Sequence, residues 1–130
     1  MTETNTIKRI DINDGCSPVL VSRVVHLTGT LIPVASITDI EISIFNLSAE
    51  DPGTRVYIIS NLEPAAVYSD TLSYDYGNLI GDDGGINMLY VISYDDYPLT
   101  GGCTYRVQVL THTTNFNHLD RWNVVVGEVL

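Results

Sequence analysis

Alternation of apolar and polar residues with a period of two most constrains how this chain folds. In the stretch ITDIEISIF, Ile40, Ile42 and Ile44 alternate with Glu41 and Ser43. The stretch TYRVQV has the same pattern. Successive side chains of a strand point to opposite faces of a sheet, so this period indicates strands with one buried face. No segment of helical length shows a 3.6-residue period, and the sequence therefore predicts an all-β protein.

Turn-forming residues divide the chain into seven predicted strands. Runs such as SAEDPG, GDDGG and DDYPLTGG separate the apolar stretches, and Gly, Pro, Asn and Asp favour turns. We place the strands near residues 18–28, 36–47, 54–61, 65–73, 86–94, 103–112 and 120–129. Seven short antiparallel strands fit a two-sheet sandwich. In a chain of 130 residues, we expect one sandwich domain over 18–130 and a polar N-terminal arm over 1–17.

The segment YPLTGGCTY, residues 97–105, predicts a sharp corner before a strand. Leu99 would be an apolar plug, Gly101 and Gly102 would form the bend, and Tyr105 would begin the strand. This order resembles the tyrosine corner of immunoglobulin-like and fibronectin type III domains, in which the tyrosine hydroxyl bonds back to the backbone. Cys103 lies before the tyrosine instead of after it, so the immunoglobulin cysteine pair is absent. The resemblance implies an immunoglobulin/fibronectin-III-like antiparallel β-sandwich.

The charge of the chain is strongly acidic and unevenly placed. Sixteen acidic residues face six basic ones, for a net charge of −10. Such a surface repels phosphate backbones, so we expect no nucleic-acid partner. Residues 1–10 hold Lys8, Arg9 and Glu3, a net of +1, which leaves −11 for the rest of the chain. Lys8 and Arg9 are therefore candidates for docking the arm on a neighbouring copy, with a frayed terminus as the alternative.

Neither a membrane segment nor an export signal is expected. No apolar run reaches the roughly 20 residues of a membrane helix, and MTETNTIKRI lacks the apolar segment of a signal peptide. Cys16 and Cys103 match no zinc spacing. In a reducing compartment we expect two free, buried thiols. Whether the two cysteines pair stays open.

One histidine lies in a pattern that acid–base chemistry can use. In HLD, His118 and Asp120 share a side of an extended chain, so the carboxylate could orient the imidazole as a general base. No nucleophile signature accompanies the pair. The favoured interpretation is solvated charges at the start of the last strand. We expect no enzyme activity, and no cofactor, because no glycine-rich phosphate loop opens a helix.

The segment SDTLSYDYGNLIGDDGG holds four aspartates within fourteen residues. Calcium binds several hard oxygens from a flexible loop, which makes Asp75, Asp82 and Asp83 candidate ligands. The spacing matches no EF-hand loop. Exposed carboxylates in a long hairpin loop are the favoured interpretation, so no metal is predicted.

Eight tyrosines give the chain a large aromatic surface. Tyr74, Tyr76, Tyr94 and Tyr97 fall near predicted loops, where aromatic rings offer contact area at low entropic cost. We take these four as interface candidates. Stacking on sugars would use the same residues, and packing inside the sandwich is the simpler alternative for about half of the eight.

The order of ITDIEISIFNLS, VYSDTLSYDYG, LTGGCTYRVQVLT and a final apolar strand is similar to that of small immunoglobulin-like virion proteins of tailed bacteriophages. Such proteins include capsid decoration or cement proteins, head fibres, and baseplate or tail components. The resemblance implies a non-enzymatic structural protein, assembled in the host cytoplasm, that binds the major capsid protein or another virion protein on the outer capsid surface. It also implies a homo-oligomer. The alternatives are a tail or baseplate component, a bacterial adhesion or carbohydrate-binding module, and a calcium-dependent or hydrolytic protein.

Overall fold

The computed structural model describes residues 7–25, 29–74 and 85–128. These residues form eight strands with short connections: β1 Lys8–Asn13, β2 Val19–Ser22, β3 Ile37–Asn46, β4 Arg55–Ile59, β5 Tyr68–Ser73, β6 Ile86–Val91, β7 Thr104–Thr113 and β8 Asn117–Gly127. A one-turn helix α1 spans Pro64–Val67, and a 3-10 turn spans Val34–Ser36. The predicted all-β class is confirmed.

The strands form two sheets. The five-stranded sheet has the order β1-β8-β7-β3-β4, and the three-stranded sheet has the order β2-β6-β5. In immunoglobulin lettering, β3, β7 and β8 take the places of strands C, F and G, and β2, β6 and β5 those of B, E and D. The β-sandwich predicted from the sequence is therefore confirmed, with eight strands among the described residues in place of seven.

One strand lies where the polar arm was predicted. Lys8–Asn13 forms β1 at the edge of the five-stranded sheet, paired in parallel with β8 from Lys8↔Trp122 to Asn13↔Gly127. Its half-buried positions, Lys8, Ile10 and Ile12, alternate with exposed ones. The backbone pairing with β8 and the packing of Ile10 and Ile12 against the core attach the segment to the sandwich. This part of the predicted arm thus belongs to the domain, and residues 1–6 lie outside the described residues.

The core lies between the two sheets and follows the period of two. Ile40, Ile42 and Ile44 of β3 are fully buried, as predicted from their alternation. The larger cluster adds residues from β7, β8 and the three-stranded sheet: Val107, Val109, Trp122, Val124, Leu20, Met88 and Tyr68. Because both sheets contribute to one cluster, they bury each other's apolar faces.

A buried amide extends the pairing of β2 and β6 beyond the end of β2. The Asn87 side chain accepts a hydrogen bond from the Val24 N–H (2.7 Å) and donates one to the Val24 carbonyl oxygen (2.8 Å). Asn87 is 3% exposed. Its side chain takes the place of a neighbouring strand, so the Val24 backbone is buried without unpaired polar groups.

Candidate functional site

The corner before β7 is held by the tyrosine. The backbone N–H of Thr100 donates a hydrogen bond to the Tyr105 hydroxyl oxygen at 2.9 Å. The Tyr105 side chain is buried, and Leu99 beside the corner is 1% exposed. The hydroxyl thus ties the start of β7 to the chain five residues earlier, while Leu99 fills the end of the core.

Both glycines of the corner lie where a side chain would not fit. A Cβ atom on Gly101 would come within 3.0 Å of the Asp14 carboxyl group and of the Gly127 carbonyl oxygen. Gly102 has φ +84°, a left-handed conformation that L side chains rarely adopt. Its N–H donates to the Val126 carbonyl oxygen at 2.9 Å. The corner therefore packs closely against the chain at the ends of β1 and β8.

The predicted histidine–aspartate pair lies on the inward side of β8, where the sequence had favoured solvated charges. Asp120 is 8% exposed. Its Oδ1 lies 2.9 Å from Lys8 Nζ, and its Oδ2 lies 3.0 Å from His118 Nε2. Neither His118 Nε2 nor Oδ2 has a hydrogen-bond partner among the described residues, so the two groups are only in close contact. The prediction of solvated charges is wrong for Asp120, because the Lys8 side chain folds inward from β1 and covers it.

The charges around Asp120 keep its carboxyl group ionised. Burial raises its pKa, but the His118 ring and the Lys8 ammonium lower it by more, and the pKa lies below its ordinary value. The Lys8 Nζ also lies 4.6 Å from the centre of the Trp122 ring, a cation–π distance. The group therefore acts as an internal ion pair that attaches β1 to β8.

The surroundings of this pair are unsuited to nucleophilic chemistry. The residue across the ladder from His118 is Thr111, which is fully buried. Its hydroxyl lies 2.7 Å from the Tyr68 hydroxyl in a side-chain hydrogen bond. Burial raises the pKa of Tyr68 well above its usual value, so its phenol stays protonated. The hydroxyl groups here fill polar positions of the core.

The shallow groove between α1 and β6 offers no acid–base group. It is lined mainly by apolar residues such as Ala65, Ala66, Ile86 and Met88, and Tyr68 is the ionisable side chain among its described lining residues. The Tyr68 hydroxyl is already bonded to Thr111, and the polar lining residues are Ser69, Ser73 and Asn87.

The interface candidates occupy different environments. Tyr74 is 65% exposed. Tyr97 packs edge-on against Tyr57, with ring centres 5.5 Å apart, and the Tyr57 hydroxyl donates to the Pro98 carbonyl oxygen. Tyr94 is half-buried, and its N–H donates to Ser17 Oγ. Tyr76 lies outside the described residues. Among the described candidates, Tyr74 is thus free to contact another molecule, whereas Tyr97 packs with Tyr57 and supports the loop before β7.

The two basic interface candidates point to opposite sides of β1. Lys8 is turned inward to Asp120. Arg9 is exposed and forms an ion pair with Asp11 at 2.9 Å. Hydrogen bonds from Arg9 hold the pKa of Asp11 below its usual value. Only Arg9 of these two is therefore placed for contact with another molecule.

The acidic segment considered for calcium cannot be assessed as a site. Asp75, Asp82 and Asp83 all lie outside the described residues. Within the described ranges, no group of three or more His, Cys, Asp or Glu is arranged to hold a metal ion. Asp70 is described, and its carboxylate accepts a hydrogen bond from the Val34 N–H at 2.8 Å.

Both cysteines are free thiols. Cys103 is half-buried, whereas Cys16 is exposed in the turn after β1. The prediction of a buried position is wrong for Cys16, because the chain forms a surface turn there, closed by a hydrogen bond from the Cys16 N–H to the Asn13 carbonyl oxygen.

Sequence reasoning missed the outer face, by which we mean the outward side of the five-stranded sheet. On β7 and β8 the outward positions alternate with buried ones and pair across the ladder as Arg106↔Asn123, Gln108↔Arg121 and Leu110↔Leu119. The Arg106 Nε donates to Asn123 Oδ1 at 2.8 Å. Toward β4, Arg55 forms an ion pair with Glu41 at 3.2 Å. Arginines on neighbouring strands thus share one surface, which the sequence could not reveal without the register.

Comparison with known proteins adds no family assignment. Neither the protein-family models nor the curated proteins include a match to this chain.

Proposed function

We propose that this chain is a non-enzymatic virion structural protein that binds the outer capsid surface of a tailed bacteriophage and stabilises the head as a decoration or cement protein. The observation that carries the proposal is a closed sandwich with apolar and aromatic side chains left on its surface. Tyr74 is 65% exposed, Ile58 48% and Val56 45%. Exposed side chains of this kind supply contact area at protein interfaces.

The polar groups of the interior support a binding role over a catalytic one. The Asp120 carboxylate is occupied by Lys8 and faces His118. The Thr111 hydroxyl is fully buried and bonded to Tyr68. A general base must reach the proton that it removes, and a substrate has no access to these groups.

The net charge of −10 supports an outer position on the particle. An acidic protein is repelled by packaged DNA, whose phosphates lie inside the shell. The partner would be the major capsid protein or another virion protein. Many copies bridging neighbouring subunits would resist rupture of the shell through added contacts and avidity.

No described helix is both long enough and apolar enough to span a bilayer.

The first test is the location of the chain on particles. Virions from cultures producing the chain are purified on a density gradient, and its amount relative to the major capsid protein is measured by mass spectrometry. We expect stoichiometric amounts, with immunogold labelling on the head. Labelling confined to the tail would replace the proposal with a tail or baseplate component, and absence from particles would overturn it.

The second test is rebinding to capsids stripped of the chain. Ile58→Asp places a charge on the exposed apolar side of β4 and should lower the bound fraction in co-sedimentation about tenfold. Thr71→Asp, at an exposed position of β5, adds the same charge on the other sheet and should bind like the unchanged protein. Equal binding of all three proteins would contradict a role for this surface. Binding to a glycan array without capsid binding would favour the carbohydrate module.

A further inference from the structure

The basic residues of this chain are concentrated on one surface. The outer face carries four of the six basic residues, Arg9, Arg55, Arg106 and Arg121, together with the acidic residues Asp11, Asp39 and Glu41. The other described residues include two basic and nine acidic ones. The outer face therefore has a net charge of +1, whereas the other described residues together are net negative.

The centre of the outer face contains no carboxylate. The outward positions of β7 and β8 between Arg106 and Leu110, and between Leu119 and Val125, are held by arginine, amide and aliphatic side chains. Arg106 bonds the neutral amide of Asn123, which leaves its charge uncompensated by that contact. Arginine pairs well with carboxylates and stacks on aromatic rings. This surface is suited to a partner that presents both.

Such a surface exists at one end of the same molecule, which we call the acidic end. It consists of the segments 14–18, 47–54, 92–103 and 127–128. Ile92 N–H donates to the Pro18 carbonyl oxygen and Tyr94 N–H to Ser17 Oγ, while Leu47 and Gly102 bond to the adjoining strand ends at Thr104 and Val126. These segments contain no lysine or arginine. They contain six acidic residues: Asp14, Glu50, Asp51, Asp95, Asp96 and Glu128. All six except Asp14 are exposed.

Tyrosines accompany these carboxylates. Tyr94 and Tyr97 lie in the same loop as Asp95 and Asp96, and both are partly exposed. The acidic end thus offers the carboxylates and rings that suit the arginines and leucines of the outer face.

We propose that the outer face binds the acidic end of a second copy of this chain. The contact joins two different surfaces, so each copy can bind one neighbour through its outer face and another through its acidic end. Repetition of such a contact produces a ring if it closes and a chain if it does not. Two copies repel each other because each carries a net charge of −10. At physiological salt this repulsion is screened over about 8 Å, so the contacts between arginines and carboxylates at the interface outweigh it.

This inference goes beyond the proposed function, although Ile58 lies on the same outer face. It is tested on the purified protein without capsids, so failure here leaves the particle experiments unaffected. The measurement is weight-average mass by sedimentation equilibrium over a range of concentrations. We expect the mass to rise to at least twice that of the monomer, and to fall when salt is increased.

Charge reversals on the two surfaces provide the decisive comparison. Arg106→Glu on the outer face, and Asp95→Lys with Asp96→Lys at the acidic end, should each weaken association about tenfold or more. Mixing the two variants should restore association, because each retains the surface that the other has lost. Arg23→Glu is the matched control, since it makes the same charge change at an exposed position outside both surfaces, and it should associate like the unchanged protein.

A second variant keeps the test valid if Arg106→Glu does not fold, as judged by circular dichroism. Gln108→Glu changes no side-chain volume, places a carboxylate at the centre of the outer face and should also weaken association. A monomer at every concentration would overturn the proposal. Equal weakening by Arg23→Glu, or failure of the mixture to associate, would overturn it too.

Discussion

At the residue scale, two side chains on the inner side of the five-stranded sheet each stabilise a connection. Tyr105 bonds the backbone of the corner before β7 through its hydroxyl. Asp120 holds Lys8 of β1 from a buried position on β8. The Tyr105 hydroxyl and the Asp120 Oδ1 atom each have a hydrogen-bond partner, so removing one partner costs more than the hydrogen bond itself.

Tyr105→Phe should lower the free energy of unfolding by about 1 kcal/mol, because the ring is kept while the Thr100 N–H loses its acceptor. The measurement is urea unfolding followed by circular dichroism. Tyr74→Phe removes a hydroxyl from an exposed tyrosine and should change stability by less than about 0.5 kcal/mol. Equal effects of the two substitutions would show that the corner bond contributes nothing.

Asp120→Asn should lower the free energy of unfolding by about 2 kcal/mol at neutral pH, a value reduced from that of a fully buried pair because Lys8 is partly exposed. The effect should depend on pH. The pKa of Asp120 is lower in the folded protein than its ordinary value, so its stabilisation is present above the ordinary carboxyl pKa and is lost as pH falls through the folded value.

The stability difference between Asp120→Asn and the unchanged protein should therefore shrink between about pH 6 and pH 2. Urea unfolding of both proteins across this range measures it. A difference that stays constant with pH would mean that the ion pair is not the source of the effect.

At the element scale, β1 shows how one strand of modest apolar content completes a sheet. It contributes Ile10 and Ile12 to the surroundings of the core and supplies Lys8 to Asp120. It also covers the edge of β8, which would otherwise present unpaired backbone groups.

Deletion of residues 1–13 should lower the free energy of unfolding by about 3 kcal/mol, since two half-buried isoleucines and a partner of Asp120 are lost. Deletion of residues 1–6 leaves β1 in place and should have little effect. Denaturant unfolding of both truncated proteins provides the test. Equal stability of the two would mean that β1 does not contribute to the fold.

The sequence predicted the strands whose apolar residues alternate over a long stretch. Ile40, Ile42 and Ile44 gave β3 directly, and the glycines and tyrosine near residue 102 located the start of β7. The sequence did not predict β1, because Lys8 occupies an inward position that a charge normally avoids and its partner strand is more than 100 residues away. The outer face was missed for a similar reason, since Arg55 and Arg106 come together only once β3, β4 and β7 are paired.

At the scale of the whole molecule, the two sheets share one core. Trp122, the single tryptophan, is 2% exposed and belongs to that core. Residues from both sheets surround the same cluster, so neither sheet can lose its packing alone.

Unfolding should therefore occur in one transition. Trp122 fluorescence reports on the core and far-ultraviolet circular dichroism reports on the strands, and the two denaturation curves should coincide. A fluorescence change that precedes the loss of strand signal would show that the sheets separate before they unfold.

The parallel pairing of β1 with β8 has a mechanical consequence. β1 begins at Lys8 at one end of the sandwich, and β8 ends at Gly127 at the other. A force applied to the two chain termini pulls these strands in opposite directions along their length, so it loads the bonds between them in shear. Several bonds must then break together, whereas a hairpin pulled from one end opens one bond at a time. Stretching single molecules from their termini should therefore require a higher rupture force than pulling from sites on β7 and β8.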